Sequence, residues 1–220
     1  MTDGPVYVFD AYGTLLDIAA AARRVLSGHP EQAGLLAEVW RARQLEYAWT
    51  DMALGQATDF WGATTRALDT ALVVVGIADV PGLRDRLLAA YADLDAYADA
   101  VPALERVNQQ GGRSVTYSNA NQAMLERSLA SAGLDRVMHG VISVDGVGVY
   151  KPDPRAYAFV ADQLGIDSKE AFFVSSNPWD AAGAAHAGFR AVWVNRQHLP
   201  YPFASAGLHA EIRSLAALPG

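Results

Sequence analysis

The spacing of apolar residues changes twice along the chain. Val6 to Phe9 is an unbroken apolar run that ends at Asp10, a pattern typical of a strand buried on both faces of a parallel sheet. From about residue 18 to residue 94 the apolar residues recur with helical spacing. After Pro102, short apolar runs alternate with helical segments. The pattern predicts one strand, then a helical stretch, then a series of alternating strands and helices.

The helical stretch is predicted to hold three helices: one from about Glu31 to Leu54, a second from about Ala57, and a third from Pro81 to about Leu94, since proline suits a first helical position. The later strands are predicted at Arg113–Tyr117, Val141–Val144, Ala171–Val174 and Ala191–Val194. The helices among them are predicted at Ala103–Gln110, Ala120–Ala132, Arg155–Leu164 and Pro178–Ala187. Glycines at positions 111, 133, 165 and 188 stand where these helices are expected to end.

The order of the predicted elements indicates the fold class. Strands that alternate with helices indicate an α/β fold with a doubly wound parallel sheet, because parallel neighbours need a crossover connection. The helical stretch interrupts this series directly after the first strand. We therefore expect an α/β core domain of residues 1–17 and 97–220, with an all-α helical cap domain, residues 18–96, inserted into it.

Composition and charge narrow the possible functions. The 220 residues are 51% hydrophobic and 19% charged, which is the balance of a globular protein. A net charge of −7 argues against binding to nucleic acid or to an anionic membrane. The sequence contains no cysteine, which excludes disulfides, thiolate nucleophiles and cysteine-bound zinc. The first apolar run is too short for the core of a signal peptide, so we expect a cytoplasmic protein.

Polar residues follow the predicted strands at the edge where open α/β sheets bind ligands. They lie in segments 10–14, 118–119, 149–152 and 175–180. Some have an ordinary structural explanation: Asn119 with Gln122 fits a helix N-cap and capping box, and Asn177 fits another N-cap. Lys151 fits a plain loop lysine. Asp10 is harder to explain in this way, because a carboxylate that ends an apolar strand is costly to bury unless it is paired.

Together these segments resemble the four motifs of the haloacid dehalogenase superfamily. The motifs are D-A-Y-G-T from Asp10 to Thr14, Ser118-Asn119, Lys151-Pro152-Asp153-Pro154, and Asp180. Tyr12, Arg41, the run from Ser175 to Asp180 and K-P-D-P-x-x-Y more narrowly resemble the L-2-haloacid dehalogenase branch. This resemblance implies a Rossmann-like core with a helical cap. It also implies hydrolysis of short L-2-haloalkanoic acids to D-2-hydroxy acids through an aspartyl ester, with inversion.

Position 12 separates this branch from the phosphatases of the same superfamily. Those phosphatases carry a second aspartate two residues after the nucleophile, as a general acid, and they need Mg²⁺. Tyr12 stands at that position here. A halide is a stable anion and leaves without a proton, so a dehalogenase needs no acid there. We therefore expect no metal and no other cofactor, with Lys151 supplying the positive charge.

The resemblance also implies a role for each site residue. Asp10 is the nucleophile, Lys151 keeps it ionised, and Asp180, accompanied by Asn177, activates the hydrolytic water. Tyr157 is expected to support Lys151 or Asp10, and Arg41 is expected to bind the halide. Hydrogen bonds that position these groups are expected from Thr14, Ser118 and Ser175. The substrate-binding residues are expected to be Ala11, Tyr12, Arg41, Leu45, Phe60, Ser118, Asn119 and Trp179.

The candidate site residues of the helical stretch also have purely structural explanations. Arg41 fits an arginine that lies across an apolar surface, and Leu45 and Phe60 fit ordinary core packing. The sequence also departs from many relatives at Ala120, where they have glycine. Two other functions remain open: a Mg²⁺-dependent phosphatase, and an inactive relative that binds a small anion or a protein partner. The expected partners are a 2-haloacid, a halide and a second copy of the chain, as a homodimer.

Overall fold

The protein is described by a computed structural model, which covers residues 4–56 and 59–219. The chain forms two compact units: a core unit, which comprises the chain up to Leu16 and from Ala96 onward, and a cap unit from Asp17 to Asp95. At both points where the chain passes from one unit to the other, the predicted boundary lies one residue later. The assignment of these units as a core domain and an inserted cap domain stays a prediction. Among the described residues, no helix is both long and apolar enough to cross a membrane.

The core unit contains a six-stranded sheet in which every neighbouring pair is parallel. The strands are β1 (Val6–Phe9), β2 (Arg113–Ser118), β3 (Gly140–Ser143), β4 (Phe172–Ser175), β5 (Arg190–Val194) and β6 (Ala210–Ile212). Their order is β3-β2-β1-β4-β5-β6, which confirms the doubly wound α/β fold class. Strand β6 was not predicted, because three residues that include Glu211 give no apolar run.

The cap unit is all α-helical in its described part. Its helices are α1 (Ala20–Val25), α2 (Pro30–Ala53), α3 (Phe60–Val75) and α4 (Leu83–Ala92). Helix α1 was not predicted, because six residues are too few to show a helical period. The predicted helix start at Pro81 is wrong, because Gly82 adopts a left-handed turn (φ 67°) and α4 begins after it. The predicted start at Ala57 lies outside the described residues.

The core unit also contains α5 (Ala100–Gln109), α6 (Gln122–Ser131), α7 (Pro154–Leu164) and α8 (Pro178–His186). These bounds agree with the predicted helices to within three residues. The central strand β1 is buried as its unbroken apolar run predicted: Val8 lies between Val115 of β2 and Phe173 of β4, and all three are fully buried or nearly so. The burial of β1 brings Asp10, the next residue, to a protected edge of the sheet.

The chain crosses between the units at two adjacent points. On the core side, Leu16 forms an antiparallel bridge with Ala96, and the Tyr97 N–H donates to the Leu15 carbonyl at 2.9 Å. On the cap side, the Asp17 N–H donates to the Asp95 carbonyl at 2.9 Å. The outgoing and returning segments therefore run side by side, and each unit closes its own end of the insertion with backbone hydrogen bonds.

Asp99 holds three distant segments of the core unit together. It accepts hydrogen bonds from the Arg196 guanidinium (2.8 and 3.0 Å), the Ser214 hydroxyl (2.7 Å) and the Leu215 N–H (2.9 Å). Arg196 also donates to the carbonyl of Thr14 at 3.0 Å. Burial alone would raise the pKa of Asp99, but these donors outweigh it and hold that pKa below its ordinary value.

We expect Asp99→Asn to lower the free energy of unfolding by about 1.5–3 kcal/mol at pH 7, because charged hydrogen bonds are lost. A carboxylate with a lowered pKa in the folded state stabilises above its unfolded pKa and loses that contribution as pH falls. The deficit should therefore shrink below about pH 4. Urea unfolding over this pH range measures it, with the exposed Asp85→Asn as control. A deficit that does not vary with pH would contradict the prediction.

Candidate active site

The site lies where the strand order of the sheet reverses, between β1 and β4. Ligands bind at such a switch point, beyond the carboxyl ends of the strands. Asp10 follows β1 directly, Ser118 ends β2 and Ser175 ends β4, and all three are buried. The polar segments that the sequence placed at strand ends therefore do meet in the core unit.

The carboxylate of Asp10 is only 4% exposed and is held by three donors. Its Oδ1 accepts from Lys151 Nζ at 2.9 Å. Its Oδ2 accepts from Thr14 Oγ1 at 2.9 Å and from Asn177 Nδ2 at 2.8 Å. These donors fix the plane of the carboxylate. One lone pair of Oδ1 is left by this set.

Lys151 is a buried cation between two carboxylates, not a loop lysine in water. Its Nζ donates to Asp10 Oδ1 (2.9 Å), Asp180 Oδ2 (2.8 Å) and the Tyr117 carbonyl (3.2 Å), which uses all three ammonium hydrogens. Burial alone would lower the pKa of Lys151, but the two carboxylates outweigh it and raise that pKa above its ordinary value. The amine therefore stays charged.

Asp180, on the first turn of α8, is fully buried and shares Lys151 with Asp10. Burial raises the pKa of Asp180 above its ordinary value, Lys151 opposes the rise and Asp10 adds to it. Its Oδ1 accepts from the Tyr157 hydroxyl at 2.8 Å. Burial also raises the pKa of Tyr157 well above its ordinary value, so the phenol stays protonated and donates.

Support of Lys151 or Asp10 by Tyr157 stays a prediction, and the Tyr157 hydroxyl contacts Asp180, which is the partner of Lys151. Gly183 makes this position possible. A Cβ atom at residue 183 would overlap the Tyr157 hydroxyl oxygen, so any larger residue would push the ring away from Asp180. The sequence offered no signal for this requirement, because Gly183 lies inside a helix where glycine has no local advantage.

The three predicted hydroxyls differ in what they contact. Thr14 Oγ1 donates to Asp10 and accepts from the Ser176 N–H at 2.8 Å, so it links the loops after β1 and β4. Ser175 Oγ accepts from the Asn177 N–H at 3.1 Å, and Ser118 Oγ accepts from the Ala120 N–H at 3.2 Å. Only Thr14 binds Asp10 directly, while the two serines shape the loops that carry the neighbouring groups.

The two asparagines do not act as side-chain caps, which was the structural alternative to a role in the site. Asn177 is the N-cap residue of α8 by position, but its side chain donates to Asp10 and, at 3.3 Å, to the Tyr12 carbonyl. Asn121, not Asn119, caps α6. The Asn119 amide instead pairs with the backbone of Lys151, accepting from its N–H at 2.8 Å and donating to its carbonyl at 3.3 Å. It thereby fixes the chain that carries the ammonium group.

Tyr12 is buried, and its hydroxyl lies 3.0 Å from Ser128 Oγ on α6. The sequence did not point to Ser128, since 116 residues separate the two. Ala11 is also buried, and Trp179 is half-buried at the start of α8. Within residues 4–56 and 59–219, no three His, Asp or Glu side chains are grouped so as to hold a metal ion.

The remaining predicted site residues belong to the cap unit. Arg41 and Leu45 lie on α2 and are half-buried, while Phe60 is the first residue of α3 and is buried. Arg41 Nη1 donates to Gln44 Oε1 at 2.8 Å. Gln44 is 1% exposed and was missed by the sequence reasoning, although a glutamine on an apolar helix face is itself a signal of a buried polar contact.

Comparisons with known proteins identify relatives of this chain. The chain matches the haloacid dehalogenase-like hydrolase family over residues 5–188. It is 44% identical to (S)-2-haloacid dehalogenase 4A of Burkholderia cepacia, over 96% of this chain and 91% of that protein. A crystal structure of a dehalogenase with intermediate complex has a TM-score of 0.92 at 42% identity, covering 98% of this chain and 96% of that chain. The L-2-haloacid dehalogenase of Xanthobacter autotrophicus with chloropropionic acid covalently bound has a TM-score of 0.83 at 31% identity, covering 96% and 95%.

Proposed function

Because this chain belongs to the haloacid dehalogenase-like hydrolase family, we propose that it hydrolyses short-chain L-2-haloalkanoic acids to D-2-hydroxy acids. The observation that carries the proposal is the buried Asp10–Lys151–Asp180 set, in which one ammonium group joins two carboxylates at 2.9 and 2.8 Å. Such a set supplies an ionised nucleophile, a second carboxylate for proton transfer and a fixed positive charge. The 44% identical (S)-2-haloacid dehalogenase supports the choice of substrate.

The first step is a displacement at carbon by Asp10. Both lone pairs of Oδ2 are engaged by Thr14 and Asn177, whereas Lys151 is the one donor to Oδ1 among the described residues, so Oδ1 is the attacking oxygen. The new bond joins Oδ1 to the α-carbon, and the halide leaves from the opposite side with the bonding electron pair. The α-carbon is inverted, and Asp10 becomes an ester.

The second step is hydrolysis of that ester at the Asp10 carbonyl carbon. Oδ2 is now the carbonyl oxygen, and Thr14 and Asn177 are placed to stabilise the negative charge that develops on it. Asp180 takes a proton from the attacking water, a task that its raised pKa favours. Lys151 protonates the departing alkoxide and regains a proton from Asp180. The new carboxyl group of Asp10 then releases one proton to solvent.

The proposal includes catalysis without a metal ion. In the superfamily's phosphatases a cation brings a phosphate dianion to the carboxylate. Here Lys151 lies within hydrogen-bond distance of both Asp10 and Asp180, and Tyr12 replaces the second carboxylate of the first motif. The Tyr12 hydroxyl is paired with Ser128, so it is not offered as an acid to a leaving group. These contacts favour the dehalogenase over the Mg²⁺-dependent phosphatase.

The substrate-binding roles also belong to the proposal. Arg41 binds the leaving halide, and Tyr12, Leu45, Phe60 and Trp179 form the apolar surface for the alkyl group. The loop at Ser118 and Asn119 receives the substrate carboxylate. Ala11, which follows Asp10 in the chain and is fully buried, is the last of the proposed substrate-binding residues. These assignments rest on the resemblance of the motifs, and the half-buried state of Arg41, Leu45 and Trp179 agrees with side chains that contact a ligand.

We further propose a cytoplasmic homodimer that binds neither nucleic acid nor membrane. The net charge of −7 disfavours polyanionic partners. Exposed apolar side chains on the cap helices, Leu54 after α2 and Val73 and Val74 on α3, support self-association. Analytical ultracentrifugation measures the oligomeric state, and a monomer at micromolar concentration would contradict this part of the proposal.

The experiment that tests the function is halide release from each enantiomer of 2-chloropropionate. We expect release from the L form alone, unchanged by EDTA, with the D-hydroxy acid as the product because one displacement inverts the carbon. Chiral chromatography identifies the product. An L-hydroxy acid product would reject the single displacement. Turnover of p-nitrophenyl phosphate that requires Mg²⁺, without halide release, would instead establish the phosphatase.

A further inference from the structure

A buried polar cluster joins three helices of the cap unit. Its centre is Gln44 on α2, which is 1% exposed, and its other members are Thr64 on α3 and Tyr91 on α4, which are also buried. A buried primary amide is costly unless its oxygen and both N–H groups find partners. The cluster satisfies this demand: Gln44 Nε2 donates to Thr64 Oγ1 at 2.6 Å and to the Tyr91 hydroxyl at 3.0 Å.

The contacts of Thr64 determine which way the Gln44 amide faces. The single hydroxyl hydrogen of Thr64 is donated to the Phe60 carbonyl at 2.8 Å, so Thr64 Oγ1 accepts from Gln44. The amide nitrogen must therefore face Thr64, and the amide oxygen must face the other way, toward Arg41. Arg41 Nη1 donates to that oxygen at 2.8 Å. A flipped amide would set donor against donor at Arg41.

We propose that Gln44 is a positioning residue that orients the Arg41 guanidinium for the leaving halide. The inference rests on the proposed function, in which Arg41 binds that halide. One face of α2 carries both residues, because a spacing of three residues makes them neighbours on a helix. The hydrogen bond restricts the long Arg41 side chain, and a preorganised donor stabilises a developing anion better than a mobile one.

The proposal also requires that the acceptor, the Gln44 side-chain amide, is uncharged. On the exposed side of the same helix, the same spacing pairs Arg43 with a carboxylate, Glu46. At the buried position the acceptor is an amide instead. A carboxylate there would pair with Arg41 as an ion pair of low mobility and would offset the positive charge that the halide needs. An amide accepts from the guanidinium without placing a negative charge beside it.

Two substitutions of Gln44 separate these effects. Gln44→Met removes the acceptor and is expected to lower kcat for 2-chloropropionate about tenfold, with KM little changed. Gln44→Glu keeps an acceptor and adds a charge, and it is expected to lower kcat further. In both variants the loss should be larger for the chloro than for the iodo substrate, because iodide spreads its charge and depends less on one donor.

A double-mutant cycle distinguishes positioning from a purely structural role. If Gln44 acts through Arg41, then Arg41→Ala/Gln44→Met should turn over no more slowly than Arg41→Ala alone. Tyr47→Phe is the matched control, since it removes a 2.9 Å hydrogen bond to Thr70 between the same two helices, away from Arg41. Tyr47→Phe should lower the free energy of unfolding, and the ratio of its kcat to that of the wild type should be the same for the chloro and iodo substrates.

Each outcome supports or overturns the inference. A loss that is equal for all halogens, or that adds fully to that of Arg41→Ala, would give Gln44 a structural role only. Should Gln44→Met fail to fold, Thr64→Val serves instead, because it removes the acceptor that dictates the amide orientation and should show the same halogen ranking. If the wild-type enzyme releases halide and Arg41→Ala releases it equally fast, the inference is overturned but the proposed hydrolysis of 2-haloalkanoic acids is not. A wild-type chain that releases no halide from any 2-haloalkanoate overturns the proposed function and, with it, the inference.

Discussion

Asp10→Asn is expected to abolish halide release, with kcat lowered by at least about 10⁴-fold, because a neutral amide is a poor nucleophile. The fold should persist, since the Lys151–Asp180 ion pair remains and the amide oxygen still accepts a hydrogen bond. The control is Asp145→Asn, which alters an exposed aspartate shortly after β3, a strand that β2 separates from β1. It should retain wild-type activity.

Isotope labelling gives the same prediction a second readout in the unmodified enzyme. In a single turnover in H₂¹⁸O with enzyme in excess, ¹⁸O should enter the carboxylate of Asp10, and the hydroxy acid should carry the oxygen that Asp10 donated. Mass spectrometry of the peptide that contains Asp10 detects the label. Label that appears first in the hydroxy acid would mean that water attacks the α-carbon, and Asp10 would lose its role as nucleophile.

Lys151→Met is expected to have the largest combined effect on stability and turnover. It leaves two buried carboxylates, Asp10 and Asp180, without their shared cation, which should cost about 3–5 kcal/mol in the free energy of unfolding. The kcat should fall by about 10³-fold or more, because the site loses the charge that balances the nucleophile, substrate and halide. The control is Lys169→Met, which alters the other lysine of the chain, an exposed one, and should change neither quantity.

The stability loss of Lys151→Met should depend on pH in a defined direction. Burial already raises the pKa of Asp180, and Lys151 opposes this rise more strongly than the hydrogen bond from Tyr157 does. Without Lys151 the folded state binds a proton more tightly than the unfolded state, so its stability falls as pH rises. Urea unfolding should show a larger deficit at pH 8 than at pH 5. Lys151→Met/Asp180→Asn should regain part of the stability but none of the activity.

The central fold was predictable because its signal is local. Strands of a parallel sheet that are buried on both faces read as unbroken apolar runs, as at Val6–Phe9, and the intervening helices showed their own period. The polar residues at the strand ends were predicted in the same way, because they come directly after the apolar runs. The errors were local as well: β6 and α1 are too short to show a period, and the turn at Gly82 displaced a helix start that Pro81 suggested.

The pairings inside the site were less predictable, because they depend on contacts between residues far apart in sequence. Nothing near Tyr157 indicates that its hydroxyl binds Asp180, since that contact needs the space left by Gly183 on another helix. Asn119 looked like a helix cap because a capping motif describes only local neighbours. Its actual partner, the backbone of Lys151, is 32 residues away.

The paired crossings at Leu16 and Ala96 have a consequence for the stability of the core unit. The insertion leaves and rejoins the core at two adjacent backbone segments. The Tyr97 N–H donates a hydrogen bond to the Leu15 carbonyl and joins these segments. The entropy of closing a loop at a fixed pair of ends grows only with the logarithm of its length, by about 0.6 kcal/mol for each doubling. The stability of the core unit therefore depends only weakly on the length of the insertion. The helices of the cap unit can therefore lengthen or shorten at little cost to the stability of the core, provided that α2 still carries Arg41.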